Sequence, residues 1–379
     1  MLQVLEALEG GTARHLVDLV STAGGVDHHV AIPSERVGGL TDRDAAGRMA
    51  DAGAVVHVIE MRRSPLMPRN GSALVELGQL VRRIRPAVVH GHSSVGGALG
   101  RVIGTAAGLP RVYTPNGLAV GKVALAVERG LGALTDLLIA TSAGEAALVL
   151  ARRLVPARRL VTIPNGIEVD GWVPPSGTPD LRALLGLDGE VPLIGTISRL
   201  VAQKAPERFT ALAGLVLLAR PDAHAVLVGD GPMRDAISPH HLPPGTASRF
   251  HHLPALRGAG EVLGQLDVFV LTSRFEGCPY SALEAMRAGT PAVLSDVVGN
   301  REVLVDGVSG YLVAEDDNEA MAARVLNLLA DNARRGAIGV AAREHVRRFE
   351  VRQMGNAVAA LYGELSLAAV PGCGRWPTG

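Results

Sequence analysis

Two successive series of short Val, Leu and Ile runs, each run followed by a longer segment of helical period, limit what this chain can fold into. The alternation is that of repeated β-α units around a parallel sheet: a strand covered on both faces reads as an unbroken apolar run, and its crossover helix as an amphipathic one. In the first series the runs predict strands at Leu2–Leu5, His28–Ile32, Ala54–Ile59, Ala87–His90, Arg111–Thr114, Asp136–Ala140 and Leu160–Ile163. Helices are predicted between them at Thr12–Ser21, Asp42–Asp51, Ser72–Ile84, Gly96–Ala107 and Ala143–Arg152.

From Pro164 to Pro192 the composition shifts to Pro, Gly and Asp, with GWVPPSGTPD at its centre, as a linker would. The second series then predicts strands at Pro192–Ile197, Ala225–Val228, Phe250–His252, Val268–Leu271, Ala292–Leu294 and Tyr311–Val313. Its helices fall at Glu207–Leu218, Ser281–Ala288, Glu319–Leu329 and Ala341 to about Leu367. A chain of 379 residues, 47% hydrophobic, exceeds the roughly 250–300 residues at which one core usually divides. The expected fold class is therefore α/β, with two tandem Rossmann-like domains and a crevice between them where the C-terminal ends of both sets of strands meet. The boundaries read as 1–170, 171–350, a helix at 351–367 and a disordered tail at 368–379.

Lys plus Arg equals Asp plus Glu at 37 each, so the chain has no basic field for nucleic acid. Two cysteines, Cys278 and Cys373, make neither a disulfide framework nor a thiolate metal cluster, and a reducing cytoplasm is expected. The opening MLQVLEALEGG lacks a basic leader, and no apolar run reaches the roughly 18 residues of a membrane span. A basic helix end, Arg82, Arg83 and Arg85, leaves peripheral contact with an anionic membrane open, although a solvated helix end explains it more simply. All but two of the basic side chains are arginine, the exceptions being Lys122 and Lys204.

Several loops carry chemistry. At the first strand's end, Glu9-Gly10-Gly11-Thr12 runs into a helix, where backbone N–H groups can approach a phosphate; a tight turn is the plainer reading. The three-glycine spacing of a dinucleotide site is absent. Arg199 and Lys204 flank the first loop of the second series, and two cations at a strand terminus can grip a diphosphate. Gly229-Asp230-Gly231-Pro232 reads as a turn. In EGCPYSALE, Glu276 lies in a loop and Glu284 inside the following helix, so both can face a ligand and accept bonds from vicinal hydroxyls. Backbone amides of Gly277, Cys278, Pro279 and Tyr280 at that helix start add an anion site; proline contributes none of its own N–H. His90 and His92 share one strand face, but no further ligands accompany them, so no metal site and no cofactor are expected. Asp42-Arg43-Asp44, a DxD tripeptide, reads as a helix start after Thr41.

Together these segments resemble family 4 of the glycosyltransferases, retaining enzymes of the GT-B fold. EGCPYSALEAMRAGTPAV is similar to the family's E-x7-E block, SRLVAQKAPE to its Arg and Lys segment, and VTIPNGIEVDGW to its domain-crossing strand. VVHGHSS and YTPNG resemble acceptor-side segments. The resemblance runs to about Leu367 and implies an acceptor-side first domain, a nucleotide-sugar-binding second domain and a last helix returning to the first. It implies that Arg199 and Lys204 neutralise the donor diphosphate, Glu284 binds ribose, Glu276 holds the transferred sugar, and Gly10 and Gly11 meet phosphate or sugar. Arg199, Lys204 and Glu276 form the expected catalytic set, and His92 and Asn116 stand on the acceptor side. Asn116 replaces the family's usual histidine and Ala205 its usual glycine. The function implied is retaining, metal-independent transfer of a hexosyl-type sugar from a nucleoside-diphosphate sugar to a hydroxyl acceptor. An epimerase or hydrolase of the same fold and a catalytically silent sugar-nucleotide-binding protein are the alternatives.

Overall fold

The computed structural model describes residues 1–368 except 7, 35–41, 43, 63–68, 119, 120, 189 and 257. The expected tail beyond Ala368, which instead ends a helix, Thr41 and Arg43 around the DxD segment, and Arg257 lie outside the described residues. The chain forms two compact units, Met1–Gly166 with the segment from Val351 onward, and Ile167–Glu350.

The first unit alternates β1 (Leu2–Leu5), α1 (Gly10–Thr22), β2 (His29–Ile32), α2 (Ala45–Asp51), β3 (Val55–Val58), α3 (Arg69–Ile84), β4 (Val89–His92), α4 (Ser94–Ala106), β5 (Arg111–Thr114), α5 (Lys122–Gly132), β6 (Leu137–Ala140), α6 (Ala143–Ala151) and β7 (Leu160–Thr162). Its strands are parallel in the order β3-β2-β1-β4-β5-β6-β7. The second unit contains α7 (Leu181–Leu184), β8 (Leu193–Ile197), α8 (Pro206–Ala219), β9 (His224–Val228), β10 (Phe250–Leu253), β11 (Val268–Leu271), α9 (Tyr280–Ala288), β12 (Ala292–Ser295), α10 (Asn300–Val303), β13 (Tyr311–Val313), α11 (Asn318–Ala330) and α12 (Asn332–Val346). Its sheet is also parallel, in the order β10-β9-β8-β11-β12-β13. In each sheet the first strand of the series sits centrally and the order reverses beside it, between β1 and β4 and between β8 and β11. Loops leaving the two strands at such a point splay apart and leave a crevice.

Besides the short helices α7 and α10, absent from the sequence reading, and an α12 that starts at Asn332 rather than Ala341, three segments differ from the periodicity. β4 lies two residues later than the apolar run, because His90 and His92 pair with β1 and β5 despite Gly91 between them. α5 has no counterpart in the sequence reading; its Val and Leu residues lie between flanking glycines. The long C-terminal helix is broken by a 3-10 turn at Arg347–Phe349, whose Phe349 is buried, before α13 (Val351–Ala368) begins. α13 carries an apolar stripe, Val351, Met354, Val358, Tyr362 and Leu365, that packs on Leu19 of α1 and on Val112, Leu137 and Ile139 of the first sheet. Each large aliphatic side chain so buried contributes about 1.5–3 kcal/mol.

Beneath that stripe lies a polar network. Gln3 Nε2 donates to Tyr362 Oη at 3.1 Å and to His28 Nδ1 at 3.2 Å, while His92 Nε2 donates to Gln3 Oε1 at 2.9 Å. Tyr362 Oη lies 2.6 Å from His90 Nδ1 and Thr114 Oγ1 2.8 Å from His90 Nε2, so of the two nitrogens of the neutral ring one donates and the other accepts. His15 adds a bond to Asn165 Oδ1 at 3.0 Å. Burial lowers all four histidines: His15 and His28 to about 4, His90 and His92 well below their ordinary value.

Tyr362→Phe removes the hydroxyl that serves both Gln3 and His90 and is expected to cost about 1–3 kcal/mol, read from the urea midpoint. The histidines also make the fold acid-sensitive. With folded values depressed below the unfolded 6.5, the unfolded chain binds protons first, so stability is full above about pH 6.5 and is lost as pH falls towards 4. For His15 and His28 the loss is about 3 kcal/mol each at the acid end, and urea titrations at pH 7.5 and 4.5 should show it; equal midpoints would refute the neutral network.

Candidate active site

In the second unit the loops that flank the strand-order reversal and the helix after β11 carry the residues named in the sequence. Arg199 and Lys204 lie in the loop after β8, Glu276 in the loop after β11, and Glu284 in the second turn of α9. Lys204 Nζ donates to Glu276 Oε1 at 2.5 Å, and Ser273 Oγ donates to the same oxygen at 2.5 Å. The carboxylate side chain is 5% exposed and the lysine 15%, so neither charge would be tolerated there alone. Gln203 and Arg274 lace the two loops: Arg274 N donates to Gln203 O, Arg274 Nη1 to Ala202 O, and Gln203 Nε2 to Phe275 O. Ala205, next to Lys204, is buried in the left-handed region at φ 49°, the conformation for which glycine is the unstrained choice. Thr272 Oγ1 donates to its carbonyl at 3.2 Å and holds that turn.

The GDGP turn supports this loop. Leu200 N donates to Asp230 O and Met233 N to Leu200 O, and a Cβ on Gly229 would stand 1.9 Å from Ser198 O. Only glycine admits so close an approach beside Arg199. Asp230 Oδ2 in turn accepts from Ala255 N at 2.9 Å in the loop after β10.

α9 follows the Gly277–Pro279 turn and has no side-chain cap, so its positive end is presented to that loop. Cys278 and Pro279 are buried and Gly277 and Tyr280 partly so. Gly299 lies against this turn, where a Cβ would meet Gly277 O at 2.1 Å. The Glu284 carboxylate rests against Gly260 of a 3-10 turn, Ala259–Gln265; a Cβ there would lie 2.5 Å from its carboxylate atoms. Gly229, Gly260 and Gly299 were not legible as site residues, because a glycine required by close approach looks like any loop glycine in the sequence.

In the first unit, Gly10 opens α1 at φ 56°, two residues before the predicted start, and Gly10 and Gly11 are exposed. Asn116 follows β5 at φ 54°, with both side-chain amide atoms buried and taking no hydrogen bond among the described residues. Its turn is held by Glu145, which accepts from Gly117 N at 3.0 Å and from Thr141 N at 2.7 Å; burial raises the Glu145 carboxyl above its ordinary value against the lowering effect of those bonds. Glu6, at the end of β1, likewise accepts from Ser93 Oγ at 2.9 Å and Gly96 N at 2.8 Å at the start of α4. These two carboxylates were missed, since each is a lone charge in an apolar context. His92 is fully buried inside the network described above. At the DxD segment α2 starts at Ala45, later than expected; Asp42 Oδ1 accepts from Asp44 N at 3.2 Å and Asp42 Oδ2 from Arg48 at 2.5 Å. Among the described residues no cluster of three or more metal-ligating side chains occurs, and no helix is long and apolar enough to cross a membrane.

A family model for glycosyltransferase family 4 matches residues 9–170, and one for group 1 glycosyl transferases matches 191–331. The alpha-maltose-1-phosphate synthase of Mycolicibacterium smegmatis is 30% identical over 90% of this chain and 96% of its own length. The chain belongs to glycosyltransferase family 4. Another relative, the Escherichia coli UDP-Gal:alpha-D-GlcNAc-diphosphoundecaprenol alpha-1,3-galactosyltransferase, is 28% identical over 69% of this chain and 73% of its own. The fold is GT-B: Anabaena Alr3699/HepE in complex with UDP-glucose superposes with a TM-score of 0.80 at 19% identity, over 96% of this chain and 99% of that one. Sucrose-phosphate synthase from Thermosynechococcus elongatus does so with a TM-score of 0.79 at 19% identity, over 96% and 98%. The protein is thus a glycosyltransferase.

Gly260→Ala should push the flexible Glu284 carboxylate aside while leaving the backbone in place. The expected result is a roughly tenfold weaker affinity for the nucleotide, about 1.4 kcal/mol, with an unchanged melting temperature. Unaltered affinity would detach Glu284 from nucleotide binding.

Proposed function

We propose that this glycosyltransferase transfers a hexosyl unit from a nucleoside-diphosphate sugar to a hydroxyl acceptor with retention of anomeric configuration and without a metal ion. The observation that carries the reading is the Lys204–Glu276 pair at the β8/β11 reversal. An ammonium has three N–H groups; one is spent on Glu276, and the other two remain for phosphate oxygens. Arg199, in the same loop, adds a second cation, and the α9 N-terminus adds backbone N–H groups. Charge developing on the departing diphosphate is then met by groups already in place, the role that a divalent ion fills elsewhere.

In this reading Glu284 accepts from the ribose hydroxyls, and Glu276, tethered through Oε1 by Lys204 and Ser273, offers Oε2 to a hydroxyl of the transferred sugar. Gly10 and Gly11 contact phosphate or sugar through backbone N–H groups. Asn116 donates and accepts but does not become cationic, so no proton passes through it. The glycosidic bond to the diphosphate breaks with oxocarbenium character, and the acceptor hydroxyl attacks from the face the diphosphate leaves, its proton passing to a departing diphosphate oxygen. The name of one relative supports this reading: the Escherichia coli enzyme uses UDP-Gal and is an alpha-1,3-galactosyltransferase, and an alpha linkage is the outcome of retention from an alpha-linked donor.

Lys204→Ala is expected to weaken nucleoside-diphosphate binding by about 1.5–3 kcal/mol, measured by titration calorimetry, because a charge-assisted bond is lost. Transfer from a UDP-hexose, followed by NMR of the anomeric proton, should persist in excess EDTA. An inverted product or abolition by EDTA would overturn the proposal.

A further inference from the structure

The second unit contains a cavity of about 890 Å³ that includes none of Arg199, Lys204, Glu276 and Glu284. It lies at the other end of α9, where Arg287 and Ala288 meet the segment Val169–Thr178 and the C-terminal part of α12. Its volume is within the about 300–1,000 Å³ of small-molecule sites. Its wall towards the site described above is the 3-10 turn Ala259–Gln265: Gly260 of that turn touches Glu284, whereas Glu261, Gly264 and Gln265 line the cavity.

The chemistry of the lining selects a ligand. Trp172, the one tryptophan among the described residues, is only partly buried and holds the Arg287 guanidinium 3.7 Å from its ring centroid. Arg287 is 6% exposed and also donates to both oxygens of Glu261 and to Glu168 O. Arg347 pairs with Asp170 at 3.2 Å, and Arg343 donates to Ala288 O at 2.7 Å. With Asp180 the lining carries three carboxylates against three guanidinium groups, and no net charge. An anion entering would have to compete with Glu261 for Arg287 and with Asp170 for Arg347, while Arg343 is engaged by the Ala288 carbonyl. An uncharged polyol leaves the pairs intact, takes up the remaining lone pairs and N–H groups, and packs its C–H groups against the edge and opposite face of the indole, since Arg287 covers the other.

We propose that this cavity is a second ligand site, separate from the donor cluster, for an uncharged oligosaccharide. The cavity lining shares no residue with the donor cluster, so the failure of either assignment leaves the other standing. The test is saturation-transfer NMR and calorimetry on the full chain with uncharged gluco-, galacto- and manno-configured trisaccharides, with hexose 1-phosphate as the anionic probe. Saturable binding of at least one trisaccharide is expected, weakened at least tenfold by Trp172→Ala and at least threefold by Asp170→Ala, and within twofold of wild type in Lys204→Ala. Asp170 is exposed, so its variant reports on the cavity even if Trp172→Ala fails to fold. The proposal is overturned by absence of saturable binding, by binding indifferent to Asp170→Ala, by loss of binding in Lys204→Ala, or by hexose 1-phosphate binding there more tightly than every trisaccharide.

Discussion

The candidate site of the second unit depends on one ion pair. Lys204 and Glu276 come from loops 72 residues apart in the chain, and each is buried deeply enough that its charge needs the other. Their bond, with the backbone contacts of Gln203 and Arg274 beside it, converts two loops into one surface before any ligand arrives. Preorganisation of this kind matters because loops that must be ordered on binding lose affinity to that ordering. Ala205 fits the same account: a left-handed alanine is strained, and it persists because Thr272 and its own burial determine the turn from outside.

The pair sits where it does because of strand order. In a parallel sheet that begins centrally, the first strand has its crossovers on opposite faces, and the loops after β8 and β11 diverge around an opening. The first unit repeats the device at β1 and β4, where the buried Glu6 is tied to the start of α4, and beyond β5, next to β4, the buried Glu145 holds the turn of Asn116. A carboxylate that accepts backbone N–H groups fixes a turn without leaving a charge unsatisfied, which suits positions that must hold shape at a sheet edge.

The alternation of apolar runs and helical periods was enough to read most of both sheets, because every strand buried on both faces must be apolar along its length. It misplaced β4, whose histidines are polar yet wholly internal: burial there is satisfied by a network that involves Gln3 on β1 and Tyr362 on α13, residues 359 positions apart. No local pattern reveals such a partner. The break before α13 was hidden for a related reason, since Arg347–Phe349 has helical composition and is bent by the burial of Phe349. Charged site residues stood out in the loops, whereas the glycines that let them approach, at 229, 260 and 299, act through atoms they lack and leave no mark in composition.

The choice of lysine at 204 follows from the same geometry. In a chain whose basic positions are otherwise almost all arginine, a guanidinium would be the default, and opposite Glu276 it would form a two-pronged pair that commits both carboxylate oxygens. An ammonium occupies a single oxygen, here Oε1, and keeps two of its own N–H groups uncommitted. One side chain then stabilises a buried carboxylate and keeps N–H groups with which to donate. Arginine at this position would satisfy the first requirement at the expense of the second.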